Sequence, residues 1–292
     1  MGFYDQLVKK YDYTSSFQYD VAIVCPAINP KLWLKLHENL SSNEANFILI
    51  LIGHVRPGYQ LPNNMIYIFS EMGPVPCGDI GYQYVFDNNL APYIIWAADD
   101  NEFHQTFLDD LLKNYKTLKS QYPNRKICVS PLSHSKGGRY DFHGWSWGGG
   151  RGVVLGAHIC LSTEDAKLLG GGDKRFRGLD SHIDRQMRFY SELGGIIIVL
   201  DENVCKSTRE KAGYSQMLSK TGKHDRKLLQ QLYRFERLPD LEGKKNEIYF
   251  CQSKRGGDRP NFIKQRWMIS HTSQPQLYSR EELKFEEPSL MH

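Results

Sequence analysis

The residues of this chain best suited to chemistry are Asp99 and Asp100, two adjacent carboxylates that follow the apolar run Tyr93–Ala98. Neighbouring negative charges repel, and a cation held against them relieves the repulsion. Hard divalent ions such as Mn2+ or Mg2+ prefer carboxylate oxygens and leave room for the phosphate oxygens of a substrate. The plainer alternative is that Asp99 caps a helix over roughly 101–117 and Asp100 faces water. A second group is Trp145 and Trp147, followed by Gly148-Gly-Gly150 and flanked by Arg139 and Arg151. Aromatic rings stack on sugar faces and on bases alike, and consecutive glycines let a loop approach a ligand closely. The alternative there is a packed surface loop.

Charge is unevenly distributed. Residues 1–200 carry 19 basic and 20 acidic side chains, whereas residues 201–270 carry 16 basic and 9 acidic. The excess in one late segment suggests an anionic partner: a diphosphate, a nucleic acid or a membrane surface. A solvated surface without a partner is the alternative. The six cysteines are scattered, with no C-x-x-C pair, and several lie in apolar runs. They read as buried free thiols in a reducing, cytoplasmic setting, neither a disulfide framework nor a zinc site. No run approaches the ~20 apolar residues of a membrane span, and the N-terminus has no apolar signal core.

The elements that position these residues can be read from the apolar runs. Strands are expected at 21–25, 47–53, 65–69, 93–98, 127–130, 153–155, 159–161 and 196–200. Helices are expected over roughly 30–40, with Asn29 as cap and Pro30 in the first turn, and from Asp79 to about Asn88. A third carries Phe107, Leu108, Leu111, Leu112 and Tyr115 at helical spacing. A fourth is capped by Thr163 and ended by Gly170-Gly-Gly172; a fifth starts at Ser181 with Asp180 as cap. Alternating strands and helices with short connections give an α/β fold, a doubly wound, mostly parallel sheet flanked by helices. Beyond Cys205 the chain reads as a basic, mainly helical extension around 226–236 and then a polar tail. The division expected is 1–205 as the main domain and 206–292 as the extension.

Three segments in this order resemble family 2 glycosyltransferases. A strand runs into Pro26-Ala-Ile-Asn29; the fourth strand ends in Asp99-Asp100-Asn101. Later comes Gly171-Gly-Asp-Lys-Arg-Phe-Arg-Gly-Leu-Asp180-Ser-His-Ile-Asp-Arg185. The resemblance covers roughly residues 19–205. It implies a GT-A fold and an inverting, metal-dependent transfer from a nucleotide-diphosphate sugar, UDP-type favoured, with Mn2+ or Mg2+. Asp100 would then hold the metal, and Asp99 would assist it or contact the ribose. Pro26, Ala27 and Asn29 would lie beside the nucleotide, with Gly53 and His54 at the next strand end. A diphosphate leaving group needs a counter-charge, and the acceptor needs a base on the opposite side of the sugar.

Family members usually carry an acidic pair where this chain has Leu179-Asp180. Asp180 is therefore the expected base and Asp184 the alternative; Asp184 could instead pair with Arg188 one turn on. His182, between them, would orient the base or the acceptor, or simply make a local hydrogen bond. Lys206, Arg209 and Lys211 would meet the diphosphate and His224 the metal; a generic charged surface also accounts for each of these. Trp145, Trp147 and Arg151 fall where the family binds acceptor. The acceptor would be a glycan or cell-envelope molecule, or a hydroxymethylated base in DNA of the phage type. The different-class alternative is a non-catalytic module that binds a sugar nucleotide or nucleic acid, favoured by the missing first acid before Asp180.

Overall fold

A computed structural model describes residues 17–134, 158–173, 175–177, 181–193, 195–207, 222–225, 227–229, 231–237, 249–253 and 276–277. Four parallel strands form its centre: β1 (Val21–Pro26), β2 (Phe47–Gly53), β3 (Met65–Phe69) and β4 (Tyr93–Trp96). Helix α1 (Pro30–Leu40) joins β1 to β2, and α2 (Pro74–Asp87) returns the chain from β3 to β4. Next come β5 (Asn101–Glu102), α3 (Phe107–Gln121), β6 (Ile127–His134), β7 (Cys160–Ser162) and α4 (Thr163–Leu169). Helix α5 (Ser181–Leu193), β8 (Ile196–Ser207), β9 (Tyr233–Arg237), β10 (Tyr249–Ser253) and β11 (Gln276–Leu277) follow.

The main sheet has the order β11-β3-β2-β1-β4-β7-β6-β8-β5. It is α/β and mostly parallel, as expected, but β7 runs antiparallel to both neighbours and β5 antiparallel to β8. Strands buried on both faces read as continuous apolar runs, which is why β1 and β2 were legible. Alternate residues serve opposite layers. Val21, Ile23 and Cys25 pack with Trp33, Leu36 and Leu40 of α1 and with Phe107, Leu111 and Tyr115 of α3. Ala22 and Val24 pack with Ile80, Val85 and Phe86 of α2, Ala166 and Leu169 of α4 and Phe189 of α5. Each Val, Leu, Ile or Phe among them taken fully from water contributes about 1.5–3 kcal/mol.

Four expectations are corrected. Helix α2 begins at Pro74, not Asp79, because prolines at a helix start lose no bond the first turn would make. The N-cap of α4 is Ser162, whose hydroxyl accepts from Asp165 N at 3.0 Å; Thr163 instead donates to Ala91 O. Strand β4 stops at Trp96, and Asn101–Glu102 form β5 where a helix was expected; α3 starts at Phe107. The described residues of the extension are not mainly helical. After helical residues within 222–232, Tyr233–Arg237 pairs antiparallel with Tyr249–Ser253, and Gln276–Leu277 joins the edge of β3. The alternation Tyr-Arg-Phe-Glu-Arg has the two-residue period of a strand. The expected strand at 153–155 lies outside the described residues. No described helix is long and apolar enough to cross a membrane.

Candidate functional site

The chain leaves β1 towards β2 on one side and reaches β4 on the other, so the order reverses between β1 and β4. Open α/β sheets bind ligands in the crevice beyond the strand ends at this point. Ala27–Asn29 stand at the end of β1, and Asp99 and Asp100 just beyond β4. Asp99 bridges the two. Its Oδ2 accepts from Ile28 N at 2.7 Å, Asn29 N at 2.7 Å and Trp33 Nε1 at 3.0 Å. The carboxylate is 7% exposed.

Asp99 therefore does not cap the helix that follows it; it holds the two residues that lead into α1 and the Trp33 indole in its first turn. It stands beside the N-terminus of α1, seventy residues earlier, where the helix dipole favours an anion. Asn29 makes no side-chain cap bond, against expectation; its own N–H donates to the Asp99 carboxylate and its C=O accepts from Leu32 N at 3.0 Å. The indole of Trp33 stacks on Tyr67, with ring centres 5.4 Å apart, and Tyr67 donates to Gly53 O at 2.7 Å. The ends of β1, β2, β3 and β4 are thus tied into one floor. Gly53 belongs to it for a backbone reason: a Cβ there would come within 1.8 Å of Ala27 O. His54, the next residue, is exposed.

Asp100 is half-buried, and Asn101 Nδ2 donates to its Oδ1 at 3.0 Å. Burial, then the charges of Asp99 and Asp100, push the Cys25 thiol well above its ordinary range, so both carboxylates stand close to β1. Among the described residues no three His, Cys, Asp or Glu side chains gather as a metal-holding group. His224 is accordingly not brought together with Asp99 and Asp100; its Nδ1 lies 3.0 Å from Asp225 Oδ1. What remains fits Mn2+ or Mg2+ in the mode that uses one or two carboxylates and completes its shell with water and substrate phosphates.

The pairing of β5 with β8 brings the basic segment to the acids. Glu102 lies opposite Lys206 and Asn101 opposite Ser207. On the other side of β8, Lys206 is paired with His134 of β6. Trp33 was not singled out by sequence, and His134 reads in the sequence as part of a polar loop over 133–152 although β6 runs through it. An indole in an apolar helix face reads only as core, and His134 gains its place from a pairing across more than seventy residues.

The second acidic segment is held by buried charges. Arg188 Nε meets Asp184 Oδ2 at 3.0 Å, and its Nη1 and Nη2 donate to Leu169 O at 2.7 Å and Gly171 O at 3.0 Å. Both side chains are fully buried. Asp184 is thus in the ion pair, not placed as a solvent-facing base. Asp79 of α2 accepts from Gly172 N with both oxygens, at 2.8 and 2.9 Å, and from Arg185 Nη2 at 2.5 Å. Burial pushes the Asp79 carboxyl up, against the pull of Arg185 and the Gly172 N–H. Arg185 lies over the Tyr82 ring at 4.3 Å. Further along, Arg177 N donates to the buried Asp225 at 2.9 Å. His182 sits in the first turn of α5. Asp180, Trp145, Trp147, Arg151, Arg139, Arg209 and Lys211 lie outside the described residues.

No protein-family model matches the chain, and no curated protein sequence matches it. Among solved structures it is similar to S. aureus TarS. The TarS 1-349 crystal structure is 11% identical with a TM-score of 0.47, over 65% of this chain and 60% of that one. TarS 1-349 in complex with UDP is 10% identical with a TM-score of 0.46, over 70% of this chain and 65% of that one. A further TarS crystal structure is 10% identical with a TM-score of 0.46, over 68% of this chain and 38% of that one. The chain spans less than two-thirds of the length of each of these structures.

Proposed function

We propose that this chain is a GT-A glycosyltransferase that moves a sugar from a nucleotide-diphosphate sugar to a hydroxyl acceptor with inversion, assisted by Mn2+ or Mg2+. The observation that carries the reading is the pair Asp99-Asp100 at the β1/β4 switch point, with Asp99 bound to the Ile28 and Asn29 N–H groups. The ordered motifs Pro26–Asn29, Asp99–Asn101 and Gly171–Arg185 support it.

The two acids divide the work. Asp99 sets the shape of the loop Ala27–Asn29, against which the nucleotide lies. Asp100 holds the cation. The bound cation supplies positive charge for the departing diphosphate, and Lys206 and Arg209 add theirs. Asp180 takes the proton from the acceptor hydroxyl on the far face of the sugar, and His182 orients it. Trp145, Trp147 and Arg151 receive the acceptor, a glycan or cell-envelope molecule or a hydroxymethylated base in DNA. Residues 1–205 form the catalytic domain, and 206–292 completes it: the Arg177–Asp225 bond ties the extension to the segment leading to Asp180.

A panel of UDP-sugars with Mn2+ tests the reading. The protein should slowly hydrolyse one of them to free UDP, and chelation should stop it. Tight UDP binding with no turnover of any donor favours the non-catalytic module, which the Leu179 in place of a first acid also favours. For the acceptor, a DNA role predicts duplex binding that falls steeply with salt; binding without a salt slope leaves the glycan branch.

A further inference from the structure

Four buried charges in α2 and α5 take no part in the chemistry above: Asp79, Asp184, Arg185 and Arg188, which are 1%, 0%, 5% and 0% exposed. Taking ions out of water is costly, and apolar side chains of similar size hold helices together at least as well. Packing alone does not account for them. What these groups do, and apolar ones do not, is grip backbone atoms. Arg188 donates to Leu169 O and Gly171 O; Asp79 accepts from Gly172 N. The grip is close: a Cβ on Gly172 would fall 2.6 Å from Val75 Cγ1 and 3.5 Å from the Asp79 carboxylate.

The backbone held in this way opens the segment that leads to Asp180. The helix that supplies both arginines begins at the next residue, Ser181. The start of the segment is therefore fixed by side chains of the helix at its finish. A third hold comes from the extension, through Asp225 and Arg177 N.

We propose that Asp79, Arg185, Asp184 and Arg188 are positioning residues, which lock the Gly170–Asp173 turn against α5 and so set where the base Asp180 stands relative to the donor. The inference rests on the glycosyl-transfer reading. It predicts that loosening the lock slows the proton-transfer step without weakening the nucleotide site, which is built on other strand ends.

The test uses the full chain with Mn2+ and the UDP-sugar it hydrolyses. The double variant Asp184→Leu/Arg188→Met replaces one pair by apolar groups of similar size. The variant should stay folded and Kd for UDP with Mn2+ should stay within about twofold, while kcat for donor hydrolysis falls about 10- to 100-fold. A folded double variant with wild-type kcat overturns the inference. So does a parallel loss of kcat and UDP affinity, which means the pairs merely hold the fold. Should the double variant not fold, Arg188→Lys keeps the charge beside Asp184 but offers one nitrogen in place of three. Lower kcat at unchanged UDP affinity is expected there too, and wild-type kcat overturns the inference. Absence of turnover in the wild type removes the glycosyl-transfer reading and the inference with it. Equal turnover by the wild type and the folded variant removes the inference alone.

Discussion

Asp99 and Trp33 meet across the switch point of the sheet, with the indole N–H donating to the carboxylate at 3.0 Å. The same oxygen holds Ile28 N and Asn29 N. One side chain beyond β4 thereby fixes the loop beyond β1 and the first turns of α1. Asp99→Ala leaves one buried donor, Trp33 Nε1, and two part-buried ones, Ile28 N and Asn29 N, without that acceptor. It should destabilise the protein by about 3 kcal/mol, given ~1–3 kcal/mol for each buried group left unpaired and partial relief by water. Asp99→Asn retains an oxygen acceptor and should cost less. Urea unfolding of both variants checks the order; an Asp99→Ala as stable as wild type contradicts the pinning role.

Gly53 should tolerate no side chain. With a Cβ only 1.8 Å from Ala27 O, Gly53→Ala must shift backbone at the ends of both β1 and β2. A loss of about 1–3 kcal/mol is expected from such overpacking. UDP affinity should fall with it, since the same loop lines the proposed nucleotide site. Denaturation and UDP titration on one sample separate the two effects.

The inner ion pair should show strong coupling. Arg188→Ala alone takes the cation away from a fully buried Asp184 and should cost about 3–5 kcal/mol, whereas Asp184→Leu/Arg188→Met, which removes both charges, should cost less. A double-mutant cycle on unfolding free energies measures the difference. Additive single losses contradict the pairing.

The buried thiols make an alkaline prediction. Burial pushes Cys77 from 9.0 to about 11 and Cys160 from 9.0 to about 12, and it raises Cys25 and Cys128 well above 9.0. The folded-state values lie above the unfolded ones, so this contribution is complete below pH 9. It is lost as pH rises towards the folded values, because only the unfolded chain sheds those protons. The slope is about 1.4 kcal/mol per thiol per pH unit. Unfolding free energy measured from pH 8 upwards should decline from about pH 9, and a thiol reagent at pH 8 should react with these four cysteines only on unfolding. A flat profile contradicts the account.

Much of this fold was legible because parallel strands buried on both faces write themselves as apolar runs. Phe47-Ile-Leu-Ile-Leu-Ile-Gly53 and Val21-Ala-Ile-Val-Cys25 are such runs, and their strands came out within a residue. The acids Asp99 and Asp100 were legible as a pair. The partners of Asp99 were not, since Ile28, Asn29 and Trp33 lie about seventy residues away and are joined to it only by the sheet order. β5 is two residues long and carries no pattern of its own; it exists because β8 runs beside it. The prolines of Pro74-Val-Pro76 read as a loop, although a first helical turn accepts them. The family resemblance offered Asp184 as an alternative base and its i,i+4 spacing offered an ion pair with Arg188, and only its complete burial decides for the ion pair.

On the proposed function, Asp100 carries the cation for a departing nucleoside diphosphate. The most direct measurement is Mn2+-dependent hydrolysis of the preferred UDP-sugar by wild type and Asp100→Asn, with unfolding curves recorded alongside. Asp100→Asn should fold as wild type does and lose the Mn2+-dependent rate. Retention of that rate by Asp100→Asn contradicts that role.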